Sequence, residues 1–273
     1  MTMPHLKLND GNHIPQVGLG LWNIKDQAQF STAFKTAIET GYRHFDTAQL
    51  YGNEHFLGEA WKKTGLNRGE IYITTKISVE RFGYKRVKQS FQESLSKLQT
   101  DYVDLLLLHF PVPILRKKAW RALEEIQSKG EAKSIGVSNY MIRHLEEMQQ
   151  YAQVTPAVNQ TELHVFLQQP ETIKYCQERN IVVEAYCPLA RAKVMDDPVI
   201  SSIAKKHNRT YAQVMLRWLV EQGLVVLPKS VTPSRIKGNI DVFDFQLDEE
   251  DHATITKLDR NLRAAGWSPV HVP

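Results

Sequence analysis

Cysteine is scarce: the 273 residues include two, Cys176 and Cys187. Two isolated thiols make neither a disulfide framework nor a metal-ligand spacing, and they suit a reducing compartment. Long hydrophobic runs are missing too. The longest apolar stretches are strand-sized, far below the ~20 residues that cross a bilayer. Residues 1–12 are mixed polar, so no targeting signal or membrane anchor is expected, and the cytoplasm is the expected compartment. No His-Glu-x-x-His or His-x-His pairing occurs, and Gly18 and Gly20 lack the third glycine of a dinucleotide-binding loop. The formal charge is only +4 and basic residues do not interleave with aromatics, which argues against nucleic acid. The one basic cluster, Arg116-Lys117-Lys118, reads as a solvated face.

What the chain does have is a repeating order. Asp10-Gly11 between two short extended runs predicts a hairpin. Strand-like runs follow at 17–20, 42–46, 71–75, 103–108, 134–137, 157–158, 181–185 and 224–227, and each leads into residues with helical spacing. Phe30, Ala33, Phe34, Ala37 and Ile38 form one such stripe, Asn53 is placed to cap another, and Pro198 opens a helical region continuing through Leu219. The run 103–108 is almost wholly apolar, as a parallel strand buried on both faces should be. Eight such units predict an α/β fold, a (β/α)8 TIM barrel with a short N-terminal hairpin cap. No Gly-, Ser- or Pro-rich linker interrupts them, so residues 1–273 are expected to form a single domain.

In such a barrel the active site lies at the carboxyl ends of the strands. Asp46, Lys76, His109, Asn139, Gln160 and Tyr186 all fall there, with Tyr51 just beyond the second strand. A free phenol with a pKa of ~10 exchanges protons poorly near neutrality. A neighbouring ammonium lowers it, so Lys76, held by Asp46, is expected to make Tyr51 an easier proton donor to a carbonyl oxygen. His109 can donate a hydrogen bond to the same oxygen. After the last strand, Lys229, Ser230 and Arg235 have the character of a phosphate site, lysine as a point charge and arginine as a fork. A metal site built from Asp46, His109, Glu162 and His164 is the rival chemistry. The lysine in that cluster works against a divalent cation, and no metal is expected.

Taken together, Gly-Tyr-Arg-His-Phe-Asp-Thr-Ala (41–48), Tyr51-Gly-Asn-Glu54, Thr75-Lys76, Leu-Leu-His109-Phe-Pro, Gly136-Val-Ser-Asn139, Asn159-Gln160 and Pro228-Lys-Ser230…Arg235…Asn239 resemble the aldo-keto reductase family over essentially the whole chain. The likeness is greatest to short bacterial members similar to 2,5-diketo-D-gluconate reductase. The resemblance implies NADPH/NADP+ as cofactor and a small aldehyde or ketone as substrate. It matches Asp46, Tyr51, Lys76 and His109 to the catalytic tetrad. It matches Tyr186 to the residue stacked on nicotinamide, beside Leu189, and Ser138, Asn139 and Gln160 to the carboxamide contacts. Lys229, Ser230 and Arg235 match the 2′-phosphate contacts, and Asn239 an adenine contact. Trp22 and Phe110 are expected to wall the substrate pocket, with Trp267 covering its opening.

Three positions depart from the family pattern. Phe110 stands where many relatives have tryptophan, Cys187 replaces a common serine, and Gly238 occupies a position often held by glutamate. A monomer without membrane or nucleic-acid partners is expected. Two other readings compete: a sensor or interaction module that binds the cofactor without turnover, and a barrel isomerase or lyase using Tyr51 and Lys76 on a phosphorylated substrate.

Overall fold

In the computed structural model, which describes residues 3–273, the first two strands pair antiparallel. They are β1 (His5–Lys7) and β2 (His13–Pro15), in register Leu6 to Ile14, around a turn where Gly11 takes φ +88°. Eight parallel strands follow, hydrogen-bonded in chain order: β3 (Gly18–Gly20), β4 (His44–Asp46), β5 (Tyr72–Ile77), β6 (Val103–Leu108), β7 (Ala132–Ser138), β8 (Val158–Glu162), β9 (Val182–Tyr186) and β10 (Val225–Leu227). The sheet closes on itself, with Val226 N–H donating to the Gln16 carbonyl (2.9 Å) and Gly20 N–H to the Pro228 carbonyl (3.1 Å). The two glycines of β3 belong to this seam. A Cβ on Gly18 would stand 2.7 Å from His44 Nδ1, and one on Gly20 3.0 Å from the Leu227 carbonyl oxygen. The result is the (β/α)8 barrel with its hairpin.

The strands are connected and covered by α1 (Gln27–Glu39), α2 (Glu54–Lys62), α3 (Tyr84–Leu98), α4 (Arg116–Ser128), α5 (Ile142–Met148), α6 (Pro170–Gln177), α7 (Pro198–Lys206), α8 (Tyr211–Glu221), α9 (Pro233–Ile240) and α10 (Glu249–Thr256). The sequence dictates their ends. Asp26 caps α1 by accepting from Gln29 N–H (2.7 Å), and the stripe Phe30, Ala33, Phe34 and Ala37 is buried until Gly41 turns the chain at φ +100°. The single helical region expected from Pro198 is in fact two helices. Asn208 adopts φ +52° and Thr210 opens α8 with a capping box to Gln213, which outweighs the continuous apolar periodicity.

All six residues of β6 are buried. Leu105 and Leu107 point into the barrel with Val158, Val225 and Leu227, where Leu8 and Ile14 of the hairpin region plug the lower end. Leu106 and Leu108 join the outer core under the helices. Each such side chain contributes roughly 1.5–3 kcal/mol when fully buried. No helix among the described residues is long and apolar enough to cross a membrane.

Two sequence expectations need correction. Arg116 is no solvated residue: it is buried and donates to the carbonyls of Pro111 (3.2 Å) and Pro273 (2.6 Å) and to Glu147, while Lys117 and Lys118 are exposed. Asn53 precedes α2 without capping it through its side chain. Its amide donates to the carbonyls of Leu21 (2.9 Å) and Ile24 (3.2 Å) and accepts from Thr47 Oγ1 (2.7 Å), tying the loop after β3 to the rim.

Candidate active site

Because the eight strands are parallel, their last residues reach one rim. Asp46 ends β4, Lys76 is the penultimate residue of β5, His109 follows β6, Ser138 ends β7 and Tyr186 ends β9. Tyr51 arrives on the short 3-10 turn Gln49–Tyr51. At the centre the buried Lys76 Nζ donates to both carboxylate oxygens of Asp46 (2.7 Å each) and to the Thr47 carbonyl (2.9 Å), and lies 3.2 Å from the Tyr51 hydroxyl. A buried charge of either sign is tolerated only when paired and hydrogen-bonded, and this arrangement satisfies both. Burial opposes the charge on Lys76, but Asp46 and Tyr51 outweigh it and its pKa lies above the usual lysine value.

The expected downward shift of Tyr51 does not occur. Loss of solvation pushes the phenol up to about 12, against the pull of Lys76, so it stays protonated through neutral pH. Burial, with Lys76 adding to it, holds His109 down at about 3, leaving a neutral imidazole able to donate from one nitrogen. Its ring meets Tyr51 edge-on at 5.8 Å, and Trp22 meets the other side of the phenol at 4.9 Å. Trp267 stands over the same opening, stacked on Tyr186 (5.7 Å) and edge-on to Phe110 (5.5 Å).

Tyr186 is fixed by its hydroxyl, which donates to Asn139 Oδ1 (2.9 Å); Asn139 Nδ2 in turn donates to the His109 carbonyl (3.0 Å) and Ser138 Oγ (2.9 Å). Asn139 sits at φ +68°, a left-handed conformation that asparagine tolerates better than most side chains. Gln160 Nε2 donates to Asp46 Oδ2 (2.9 Å) and to Glu184 Oε2 (3.0 Å). Glu184 escaped the sequence reading although it lies two residues before Tyr186, on the same inner face of β9. Burial first and the Asp46 charge second push its carboxyl up to about 8.

Most of these residues, though not Lys76 or Glu184, line one cavity of about 1300 Å³. It runs from Tyr51 and Tyr186 past Leu189 to Lys229, Ser230, Arg235, Gly238 and Asn239. Lys229 and Arg235 are exposed and make no ion pair among the described residues. Space is open beside Gly238, where an added Cβ would meet nothing within 4 Å. An aromatic plane and amides at one end, with two free cations and a buried amide at the other, suit a dinucleotide carrying a phosphate monoester. Residues the sequence did not single out also contribute, notably Leu50, Val79, Arg191 and Met195. The loop after β9 is unusual in that Ala190, Arg191 and Ala192 are all left-handed (φ 48°, 52° and 57°). Among the described residues, five of the eight exposed large hydrophobic side chains, Trp22, Leu50, Val79, Met195 and Trp267, gather at this cavity, as they do at binding surfaces. No group of three or more His, Cys, Asp or Glu side chains among the described residues is placed to hold a metal.

The chain is similar to known proteins over nearly its whole length. The family model described as "Aldo/keto reductase family" matches residues 16–260. Methylglyoxal reductase DkgA of Escherichia coli K12 is 44% identical over 262 residues, covering 94% of this chain and 94% of that protein. Glyoxal reductase of Bacillus subtilis is 41% identical over 258 residues, again covering 94% of each. Among solved structures, a Bombyx mori aldo-keto reductase in complex with NADP superimposes with a TM-score of 0.91 at 34% identity, covering 97% of this chain and 95% of that one.

Proposed function

The chain belongs to the aldo/keto reductase family, and from that premise we propose that it reduces small aldehydes and ketones to alcohols with NADPH, Tyr51 delivering the proton. The relatives that act on methylglyoxal and glyoxal point to short dicarbonyls within that substrate class. The observation that carries the reading is the ammonium of Lys76, held between Asp46 and the Tyr51 hydroxyl at the floor of an apolar-mouthed cavity.

When bound, NADPH supplies the hydride that the carbonyl carbon receives. Tyr51, protonated at neutral pH, donates its proton to the carbonyl oxygen, and the Lys76 charge stabilises the phenolate left behind. Asp46 keeps Lys76 charged and aimed. His109 donates a hydrogen bond to the same oxygen and orients the substrate against Trp22 and Phe110. Ser138, Asn139 and Gln160 would hold the carboxamide, and Tyr186, whose hydroxyl is anchored by Asn139, would offer its ring to the nicotinamide. Lys229, Ser230 and Arg235 would bind the 2′-phosphate, with Leu189 along the cofactor and Asn239 beside the adenine, all of them lining the same cavity. One chain supplies every one of these groups, so the site needs no second copy, in keeping with a monomer.

The test mixes purified protein with NADPH and a panel of small aldehydes, methylglyoxal and glyoxal included, and follows the nicotinamide absorbance. Carbonyl-dependent loss of NADPH is expected. Cofactor binding without turnover supports a sensor instead, and no binding supports the isomerase or lyase.

A further inference from the structure

Beneath the pocket floor lies a carboxyl that the reduction step leaves unused. Glu184 is fully buried, lines no part of the cavity, and communicates with it through the single amide of Gln160. Both hydrogens of Gln160 Nε2 are taken, one by Glu184 and one by Asp46, so Oε1 is the polar atom this amide keeps free for the cofactor. The second oxygen of Glu184 has no hydrogen-bond partner and stands 3.7 Å from His44 Nε2. That contact is no ion pair, because burial holds His44 down at about 3 and hence neutral.

We propose that Glu184 senses the redox state of the cofactor: it keeps its proton while the neutral, reduced nicotinamide is bound and gives it up to solvent when the oxidised, cationic form takes its place. The inference rests on the cofactor reading given above. The surroundings leave Glu184 alone in this role. From β4 it faces His44, which is neutral, and Asp46, a like charge. From β5 come Tyr72, whose phenol burial pushes well above its usual value, and Lys76, whose charge Asp46 and Tyr51 already share. From β8 comes the neutral Gln160, and β10 places Val225 opposite it in register. A carboxylate here has no cation of its own, so burial and Asp46 favour the acid. A positive charge arriving at the floor supplies the missing counter-charge and reverses that preference. On its other side Glu184 faces the His44 ring, whose Nε2 lies 3.0 Å from Thr74 Oγ1 and whose edge meets Tyr72 at 4.8 Å; Tyr72 lines a second cavity of about 320 Å³ at the hairpin end, beside His5, His13 and Lys133.

The sign of the linkage follows directly. A form of the enzyme in which Glu184 ionises more readily binds better as pH rises, so the NADP+ Kd should fall relative to the NADPH Kd through the region around pH 8. Any titration of the 2′-phosphate cancels in that ratio, because both cofactors carry it. Dissociation constants are measured by fluorescence quenching from about pH 6 to 9.5 for wild type and for Glu184→Gln, a near-isosteric change. A weakly buffered solution with a pH indicator reports proton release directly. The ratio should change by about 10-fold in the wild type, corresponding to a shift of about one pKa unit, with proton release on adding NADP+ and little on adding NADPH. In Glu184→Gln the ratio should be flat and the release absent. A pH-independent ratio in the wild type, which needs no variant and no turnover, overturns the inference while leaving the reductase intact. The same inflection in Glu184→Gln overturns it as well. Failure of the wild type to bind either cofactor defeats the cofactor reading and this inference with it.

Discussion

At the floor of the cavity every charged group has a fixed partner, whereas beside β10 two cations stand in solvent. Lys76, Asp46 and Gln160 are buried and joined by side-chain hydrogen bonds of 2.7 to 2.9 Å, and the buried Asn139 is tied to the Gln160 carbonyl through its backbone N–H (2.8 Å) and to the His109 carbonyl through its amide (3.0 Å). Lys229 and Arg235 are exposed and make no ion pair among the described residues, with the buried polar side chains of Ser230 and Asn239 near them. The floor is arranged before any ligand arrives, which is what charge stabilisation in a transition state requires. The far end presents long, exposed side chains, which would have to order on a bound anion at an entropic cost. On the proposed reading, chemistry falls to the rigid end and affinity to the loose one.

The sharpest way to break this division is Tyr51→Phe. NADPH binding should stay near normal while carbonyl reduction falls by roughly 10²–10⁴-fold, the usual contribution of a general acid. Steady-state turnover retained above about half would remove Tyr51 from the proposed role.

Lys76→Met tests whether the rigid floor is electrostatic or merely well packed. Removing one member of a buried pair costs about 3–5 kcal/mol, so the midpoint of urea unfolding should drop as well as turnover. Alcohol oxidation requires Tyr51 as a base and should rise with pH toward about 12 in the wild type. Without the cation the phenol is harder to ionise, and the rise should move to higher pH. An active variant with an unmoved profile would count against the assignment.

Arg235→Ala probes the loose end. A charge-assisted hydrogen bond contributes ~1.5–3 kcal/mol, so NADPH should bind roughly 10–100-fold more weakly while NADH changes little. Equal losses for both cofactors would refute a phosphate clamp. The smallest effect is expected for Trp267→Ala. Aromatic pairs contribute ~0.5–1.5 kcal/mol, so KM for aromatic aldehydes should rise by about 2- to 10-fold with kcat little altered. A large fall in kcat would instead mean that Trp267, through its stack on Tyr186, belongs to the rigid end.

The same contrast explains what could be read in the sequence. Asp46, Lys76 and His109 were legible because parallel topology turns spacing along the chain into proximity at one rim. Glu184 was hidden inside a run that counted simply as a strand, since its significance depends on Gln160 and Asp46, distant in sequence. The direction of the Tyr51 shift is hidden in the residue string for a related reason. The cation is visible in the residue string, but desolvation, the larger influence, exists only once the chain has packed. Arg116 likewise looks like its basic neighbours until the fold brings Glu147 and the tail to it.

The glycine seam between β3 and β10 has a mechanical consequence. Gly20 and Trp22 line the cavity on one side of it and Pro228, Lys229 and Ser230 on the other, so a ligand filling that space is a rivet across the joint. The amides of Gly20 and Val226 should be among the first barrel positions to exchange hydrogen in the free protein and among the most slowed by a bound dinucleotide. A ligand at 100 times its Kd stabilises the folded state by about 2.7 kcal/mol, which should appear as a Tm higher by a few degrees. If exchange slows uniformly around the barrel instead, the seam is no weaker than its neighbours.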